Sequence, residues 1–322
     1  MRKRILSAAA ALAFTTAATA QTKWDMPTPY VDSEFHTQNI RLLADEIKKV
    51  TNGQLEIIVH SGQSLIKHPD ILRAVSTGQV AIGEFLLGQF SNEDPMFEID
   101  NIPFVAVGYE QARKFYGHHR PYLEKRLQGR KLRLLYSIAW PGQGVYTKTA
   151  LKSVDDLKGT KFRTYSAATA RLAELLGASP TVIQATDIPQ AFATNTVHAM
   201  ITSSATGVAF KSWEYTKFYY LTAAMHPRNV VAVNEAAFQR LPETTRKALL
   251  DLSATAETRG WTMSQEREGL GNKMLADNGI NVVEPDTGMK AAFSKIGATM
   301  LVEWTKKAGP DGEALIKAYR AN

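Results

Sequence analysis

DDLKGTKFRTYSAATARLAELLGASPTVIQATDIPQAFATNTVHAMITSS, Asp155 to Ser204, is the segment on which the reading of this chain turns. Lys161 to Tyr165 is a short extended run, and Ala167 to Leu176 has helical spacing with a stop at Gly177. Thr181 to Gln184 is extended again, Pro189 to Ala193 returns to helix, and His198 to Thr202 to strand. That alternation is the rhythm of an α/β layer. Arg163 stands at the end of the first of these strands, ahead of a helix and with few carboxylates nearby in the chain. A guanidinium so placed either pairs with an acidic neighbour or receives an anion from outside. Its planar fork of donors matches a carboxylate with two parallel hydrogen bonds. The second fate is the expectation here, with a small organic acid as the anion.

The same rhythm runs upstream. Ser33 opens a helical pattern (Phe35, Asn39, Leu42, Leu43, Ile47, Val50) that stops at Thr51-Asn52-Gly53. Leu55 to His60 is a strand, Ser61 to Ser64 a loop, Pro69 to Val75 a helix and Gly78 to Phe85 a strand. Apolar strands alternating with helices argue for a mainly parallel, helix-covered sheet. A second series starts with the strand LRLLYSIAW from Leu132 and continues through one turn at Ser153 to Leu157 into the opening segment. Leu241 to Asn278 reads as one long helix spanning two domains, with Gly260, Gly269 and Gly271 as candidate bends. No fixed-period repeat or low-complexity linker separates the series, so the domains are expected to exchange strands. The boundaries place residues 21–139 with about 228–266 in one domain, and residues 140–227 with about 267–322 in the other.

The N-terminus addresses the compartment. Arg2, Lys3 and Arg4 precede the apolar stretch Ile5 to Phe14, and Ala18-Thr19-Ala20 before Gln21 has the small-x-small form of a signal-peptidase site. The apolar stretch falls short of the roughly 20 residues that span a bilayer. The expectation is a cleaved signal peptide over residues 1–20 and an exported, periplasmic product. The chain has no cysteine, so it forms no disulfide, no thiolate metal site and no lipoprotein anchor. About 300 mature residues are enough for two domains. The formal charge of +7 falls to +4 once the three basic leader residues are gone. That surplus is spread thinly, without the clustered basic face of a nucleic-acid binder.

Catalytic motifs are missing. There is no P-loop, no H-E-x-x-H and no G-x-S-x-G, and Thr147 stands where a dinucleotide fingerprint beginning at Gly142 and Gly144 needs its third glycine. His118-His119 reads as a solvated surface pair rather than a metal site. No enzyme activity, cofactor or metal is expected.

Several segments together resemble the extracytoplasmic solute-binding proteins of the DctP-type TRAP transporter family. They are E-I-K-K-V-T-N-G followed by L-E-I-I-V, R-A-V-S-T-G-Q-V, I-P-F-V at Ile102 to Val105, D-D-L-K-G-T-K-F-R at Asp155 to Arg163, L-G-A-S-P and A-T-N-T-V. The likeness runs from about Trp24 to the C-terminus. It implies a two-domain periplasmic-binding-protein-like clamp that closes on an organic acid and delivers it to membrane permease subunits; a monomer is expected. Arg163 matches the family's carboxylate-binding arginine, and Tyr165 and Ser166 on the same turn add a ring wall and a hydroxyl.

Departures from the sugar-acid-binding members narrow the expected ligand. Gln143, beside Trp140, stands where those members often have a second arginine. Phe85 and Leu86 replace polar groups, and Ile201-Thr202-Ser203-Ser204 replaces an acidic and amide-bearing stretch. A polyhydroxylated ligand would leave groups unpaired there, at about 1–3 kcal/mol each. The expectation is a monocarboxylate with an apolar or aromatic body, such as mandelate, benzoylformate or a branched 2-oxo acid, with Gln143 or Thr202 meeting an oxygen beside the acid. Arg228 and Asn229 leave room for a second carboxylate if Arg228 faces inward, and Tyr30 and Lys67 are further pocket candidates. Sugar-acid or dicarboxylate binding, and a ligand-sensing role for a signalling receptor, remain the alternatives.

Overall fold

The computed structural model describes residues 21–321; the signal-peptide reading lies outside them. The first half of the chain runs β1 (Thr22–Pro27), α1 (Phe35–Val50), β2 (Leu55–His60), α2 (His68–Ser76), β3 (Ile82–Leu86), α3 (Gly108–Gln128) and β4 (Leu132–Ala139). It then crosses to β5 (Gly144–Thr147), β6 (Lys161–Thr164), α4 (Ala167–Leu175), β7 (Ser179–Val182), α5 (Ile188–Ala193), β8 (Ala199–Thr202), α6 (Ser204–Ala209) and β9 (Phe218–Tyr220). A return crossing leads to β10 (Arg228–Asn234), α7 (Glu235–Gln239), α8 (Glu243–Asp277), β11 (Asn281–Val283) and α9 (Thr287–Arg320).

Two sheet systems result. In the first, β1 pairs with β2, and β3, β10 and β4 form a ladder beside them. The second has the order β11-β9-β5-β8-β6-β7. The α/β class and the long spanning helix are as expected, but the sheets are mixed rather than mainly parallel. β1–β2, β6–β7, β6–β8 and β9–β11 are parallel, whereas β10 runs antiparallel to β3 and β4, and β5 antiparallel to β8 and β9. The reason lies in how these two strands arrive. Strands joined through a helix are held parallel by the handed crossover. β5 and β10 instead come straight from the other sheet over a few residues, and nothing imposes that direction on them.

The crossings lie side by side. Trp140 N–H donates to Pro227 O at 2.8 Å, Gln143 N–H to Met225 O at 3.0 Å, and His226 Nδ1 lies 3.0 Å from Trp140 O. The third tie between the sheets is α8, which packs on α1 and β4 at one end and on α6 and β11 at the other. Its glycines do not bend it, since the helix runs unbroken through all three. They admit neighbours instead: a Cβ at Gly260 would collide with Ile138, and one at Gly271 would lie 2.9 Å from Ser204 Oγ. α9 was not expected. It breaks at Gly309 (φ 62°) before Pro310, and it packs on α3 and α4. No helix of the described residues is long and apolar enough to cross a membrane.

Gly260→Ala is expected to lower stability in urea by about 1–3 kcal/mol, the usual penalty for overpacking. Gly269→Ala, exposed with nothing within 4 Å of the added carbon, should raise it by about 0.5–1 kcal/mol. Equal effects would refute the close-approach reading.

Candidate functional site

Between the two sheet systems lies a cavity with about 420 Å³ of non-atom space, part of it open to solvent. Tyr30, His68 and Leu86 line it from one side, and Arg163, Tyr165 and Thr202 from the other. Trp140, Gln143 and Pro227 close it at the crossings. The site therefore sits beyond the carboxyl ends of parallel strands, where open α/β sheets leave a crevice.

Arg163 is the third residue of β6, flanked by β7 and β8. Its Nε donates to Ile183 O at 3.0 Å and its Nη1 to Ile201 O at 3.2 Å. Those two carbonyls aim the guanidinium but do not neutralise it. Among the described residues, no carboxylate lies within ion-pair distance of Arg163, although the residue is only 2% exposed. Burial pushes its pKa down to about 10, opposed in part by the nearby phenols Tyr165, Tyr215 and Tyr30. A cation taken out of water without a counter-ion is costly, and a ligand carboxylate would remove that cost. The Tyr165 ring lies 5.4 Å from the guanidinium, and its buried hydroxyl has no hydrogen-bond partner.

The other expected residues divide. Trp140, Gln143, Leu86, Thr202 and Tyr30 line the cavity, and Gln143 donates from Nε2 to Pro141 O at 2.8 Å. Phe85 does not: it is buried in the apolar cluster beneath β3, edge-on to Phe90 at 5.2 Å, because adjacent strand residues face opposite sides. Ser166 is the N-cap of α4, accepting from Thr169 N–H at 3.2 Å, and so is occupied in starting the helix. Lys67 is exposed ahead of α2 and outside the cavity lining.

Arg228 faces away. Its Nε donates to Asp100 Oδ2 at 3.2 Å, its Nη2 meets His119 Nδ1 at 2.6 Å, and its guanidinium lies 4.9 Å from the Tyr116 ring. This also corrects the reading of the histidine pair. His119 is fully buried and His118 half-buried, since successive residues on a helix diverge. Asn229 lies behind the wall, its Oδ1 accepting from Trp140 Nε1 at 2.9 Å and Tyr30 Oη at 3.1 Å. No cluster of three or more histidine, cysteine, aspartate or glutamate side chains suited to a metal occurs among the described residues.

Sequence reasoning missed His68 and Gln184. His68 Nε2 accepts from Leu86 N–H at 3.1 Å, so the ring proton is on Nδ1, which donates to Gln184 Oε1 at 3.0 Å across the cleft. Gln63 Nε2 makes a second tie to Thr186 Oγ1 at 2.8 Å. Burial pushes the His68 pKa down to about 4 from the ordinary 6.5.

The family model "Bacterial extracellular solute-binding protein, family 7" (DctP) matches residues 31–307. The chain belongs to this family. Three solved structures are similar over nearly their whole length. Two Bordetella pertussis extracytoplasmic solute receptors binding pyroglutamic acid, DctP6 and DctP7, are 43% and 44% identical, each with a TM-score of 0.92. They cover 94% and 93% of this chain, and 100% and 99% of their own. A marine metagenome TRAP solute binding protein specific for pyroglutamate is 36% identical over 94% of this chain and 99% of its own, also at 0.92. The present chain is thus a solute-binding receptor of the DctP type, and its work is capture rather than catalysis.

Arg163→Ala should weaken ligand binding at least about a hundredfold by calorimetry, or about 2.7 kcal/mol. Arg163→Met should melt no lower than the ligand-free parent, because it removes an unpaired buried cation. Unchanged affinity would refute the anion-site assignment.

Acidification gives a second test. Opening that breaks the His68–Gln184 contact would return the ring toward its ordinary 6.5, so an open form would hold the extra proton between pH 6.5 and about 4. Affinity should be full above 6.5 and fall by up to about tenfold per pH unit through that window. His68→Gln should flatten the profile; a parent profile already flat from pH 7 to 4.5 would contradict a role for the His68–Gln184 contact in closure.

Proposed function

We propose that this chain is the periplasmic receptor of a TRAP uptake system, and that it captures a compact cyclic monocarboxylate of the pyroglutamate kind. The observation that carries the reading is Arg163, a buried cation that faces a small cavity without an acidic partner. The pyroglutamate-binding receptors with 36–44% identity support it independently.

The chemistry of the walls favours a lactam acid over the mandelate or benzoylformate expected from sequence. With Phe85 outside the cavity, Tyr165 and Thr202 bring hydroxyls to its lining, and that of Tyr165 has no partner. A phenyl body would leave such groups unpaired, at about 1–3 kcal/mol each. A lactam meets them with a carbonyl and an N–H. A dicarboxylate is disfavoured because Arg228 is spent on Asp100, which leaves one cation for one carboxylate.

Capture proceeds by closure. Residues 21–139 with about 228–266 form one jaw, and residues 140–227 with about 267–322 the other, hinged at the paired crossings. The closed form is favoured only by the contacts that ligand adds. Residues 1–20 act as a cleaved signal peptide, and the monomeric receptor hands its ligand to membrane permease subunits.

A thermal-shift screen of pyroglutamate, mandelate, benzoylformate, glutamate and glucuronate tests the ligand class. Pyroglutamate should dominate, adding about 4 kcal/mol at a thousandfold excess over Kd. A larger shift with mandelate or glucuronate would overturn the assignment.

A further inference from the structure

Behind the cavity wall lies a hydrogen-bonded chain whose donor and acceptor directions are fixed by its members. Trp140 Nε1 lies 2.9 Å from Asn229 Oδ1, and an indole nitrogen only donates, so the amide oxygen faces Trp140. The other end of that amide, Nδ2, donates to Glu84 Oε1 at 2.9 Å. The second Glu84 oxygen accepts from Thr28 Oγ1 at 2.5 Å, and His36 Nδ1 lies 3.2 Å from the first. All these side chains are buried. Water therefore offers no alternative partner, and the Asn229 amide is held in one orientation.

The consequence falls on Tyr30. Its Oη lies 3.1 Å from the same Asn229 Oδ1, and an amide oxygen only accepts. The phenol proton is spent on Asn229, and what remains on Tyr30 is acceptor capacity. Tyr30 lines the cavity opposite Arg163. Burial, and then Glu84, push the phenol well above its usual pKa, so its proton stays in place.

We propose that Tyr30 is the specificity-determining residue of the cleft: its hydroxyl, locked as an acceptor by Asn229 and Glu84, reads an N–H on the ligand. This rests on the lactam-acid reading above. A ligand whose carboxylate meets Arg163 and whose ring N–H meets Tyr30 bridges the two jaws. A lactone of the same shape sets a ring oxygen against the Tyr30 oxygen, two acceptors with no proton between them. The site thereby selects amide-bearing acids over their oxygen isosteres. Gln143 also lines the cavity, and its amide is the rival reader of the same N–H.

The test compares pyroglutamate with the lactone acid that has oxygen in place of its ring N–H, by calorimetry on the full mature chain. The parent should prefer the lactam by about thirtyfold or more, the effect of one buried acceptor left unpaired. Tyr30→Phe should bring the two within about threefold, mainly by weakening the lactam. Asn229→Ala frees the phenol proton and should raise lactone affinity relative to lactam; this variant reads the same claim if Tyr30→Phe folds poorly. A Tyr30→Phe protein that keeps the full preference would overturn the assignment in favour of another reader such as Gln143. A parent that binds both acids equally would also overturn it while leaving the lactam-acid reading in place. A parent that binds neither would bring down that reading and this assignment together.

Discussion

A guanidinium out of water with no counter-ion organises this molecule. Arg163 is held by two backbone carbonyls, one just beyond the end of β7 and one on β8. Each carbonyl offers a dipole where a charge is needed, so the buried cation retains a free-energy penalty. A ligand carboxylate would remove it in a low-dielectric setting where the attraction is stronger than in water. On the proposed reading, the residue that meets the anion also couples it to closure. The ties from His68 to Gln184 and from Gln63 to Thr186 are neutral, so they hold the jaws together without supplying the missing charge.

The strand exchange serves that coupling. β5 and β10 enter their sheets directly from the other jaw, and the two crossing segments are bonded to each other between Trp140 and Pro227. Trp140, Gln143 and Pro227 at the crossings also line the cavity. The crossings and the cavity therefore share residues, so the proposed hinge and ligand site would be coupled. α8 ties the jaws again on the far side, where the space cleared by Gly260 and Gly271 brings it against β4 and the start of α6.

How much of this the sequence disclosed depends on how far apart the partners lie. The strand–helix order around Arg163 was legible because it is local periodicity, and Arg163 looked unpaired because acidic residues are scarce nearby. Ser166 could have been read correctly, since a serine three residues before Thr169 at a helix start is a capping signal. Phe85 and Leu86 could not be told apart, because every residue of β3 is buried and alternation leaves no polar trace. The partners of Arg228 and His68 lie 128 and 116 residues away, beyond any local pattern. α3 carries Pro121 within it, and α9 is broken at Gly309-Pro310, so each hid behind a residue that normally ends a helix.

Arg228 and Asn229 show why the charge of the pocket could not be counted from sequence. They are neighbours on β10, the central strand of the β3-β10-β4 ladder, with side chains on opposite faces. On one face Arg228 joins Asp100, His119 and the Tyr116 ring in a cluster that fastens β10 to α3. On the other, Asn229 joins Glu84, Trp140 and Tyr30 in the chain that backs the ligand wall. A shift of one residue in the register of β10 would exchange these faces, turning a second guanidinium toward the cavity and the amide toward Asp100. The site would then suit a dianion. Because β10 reaches this position from the opposite jaw, its register depends on the strand exchange itself, and the single charge of the pocket follows from how the two jaws are threaded together.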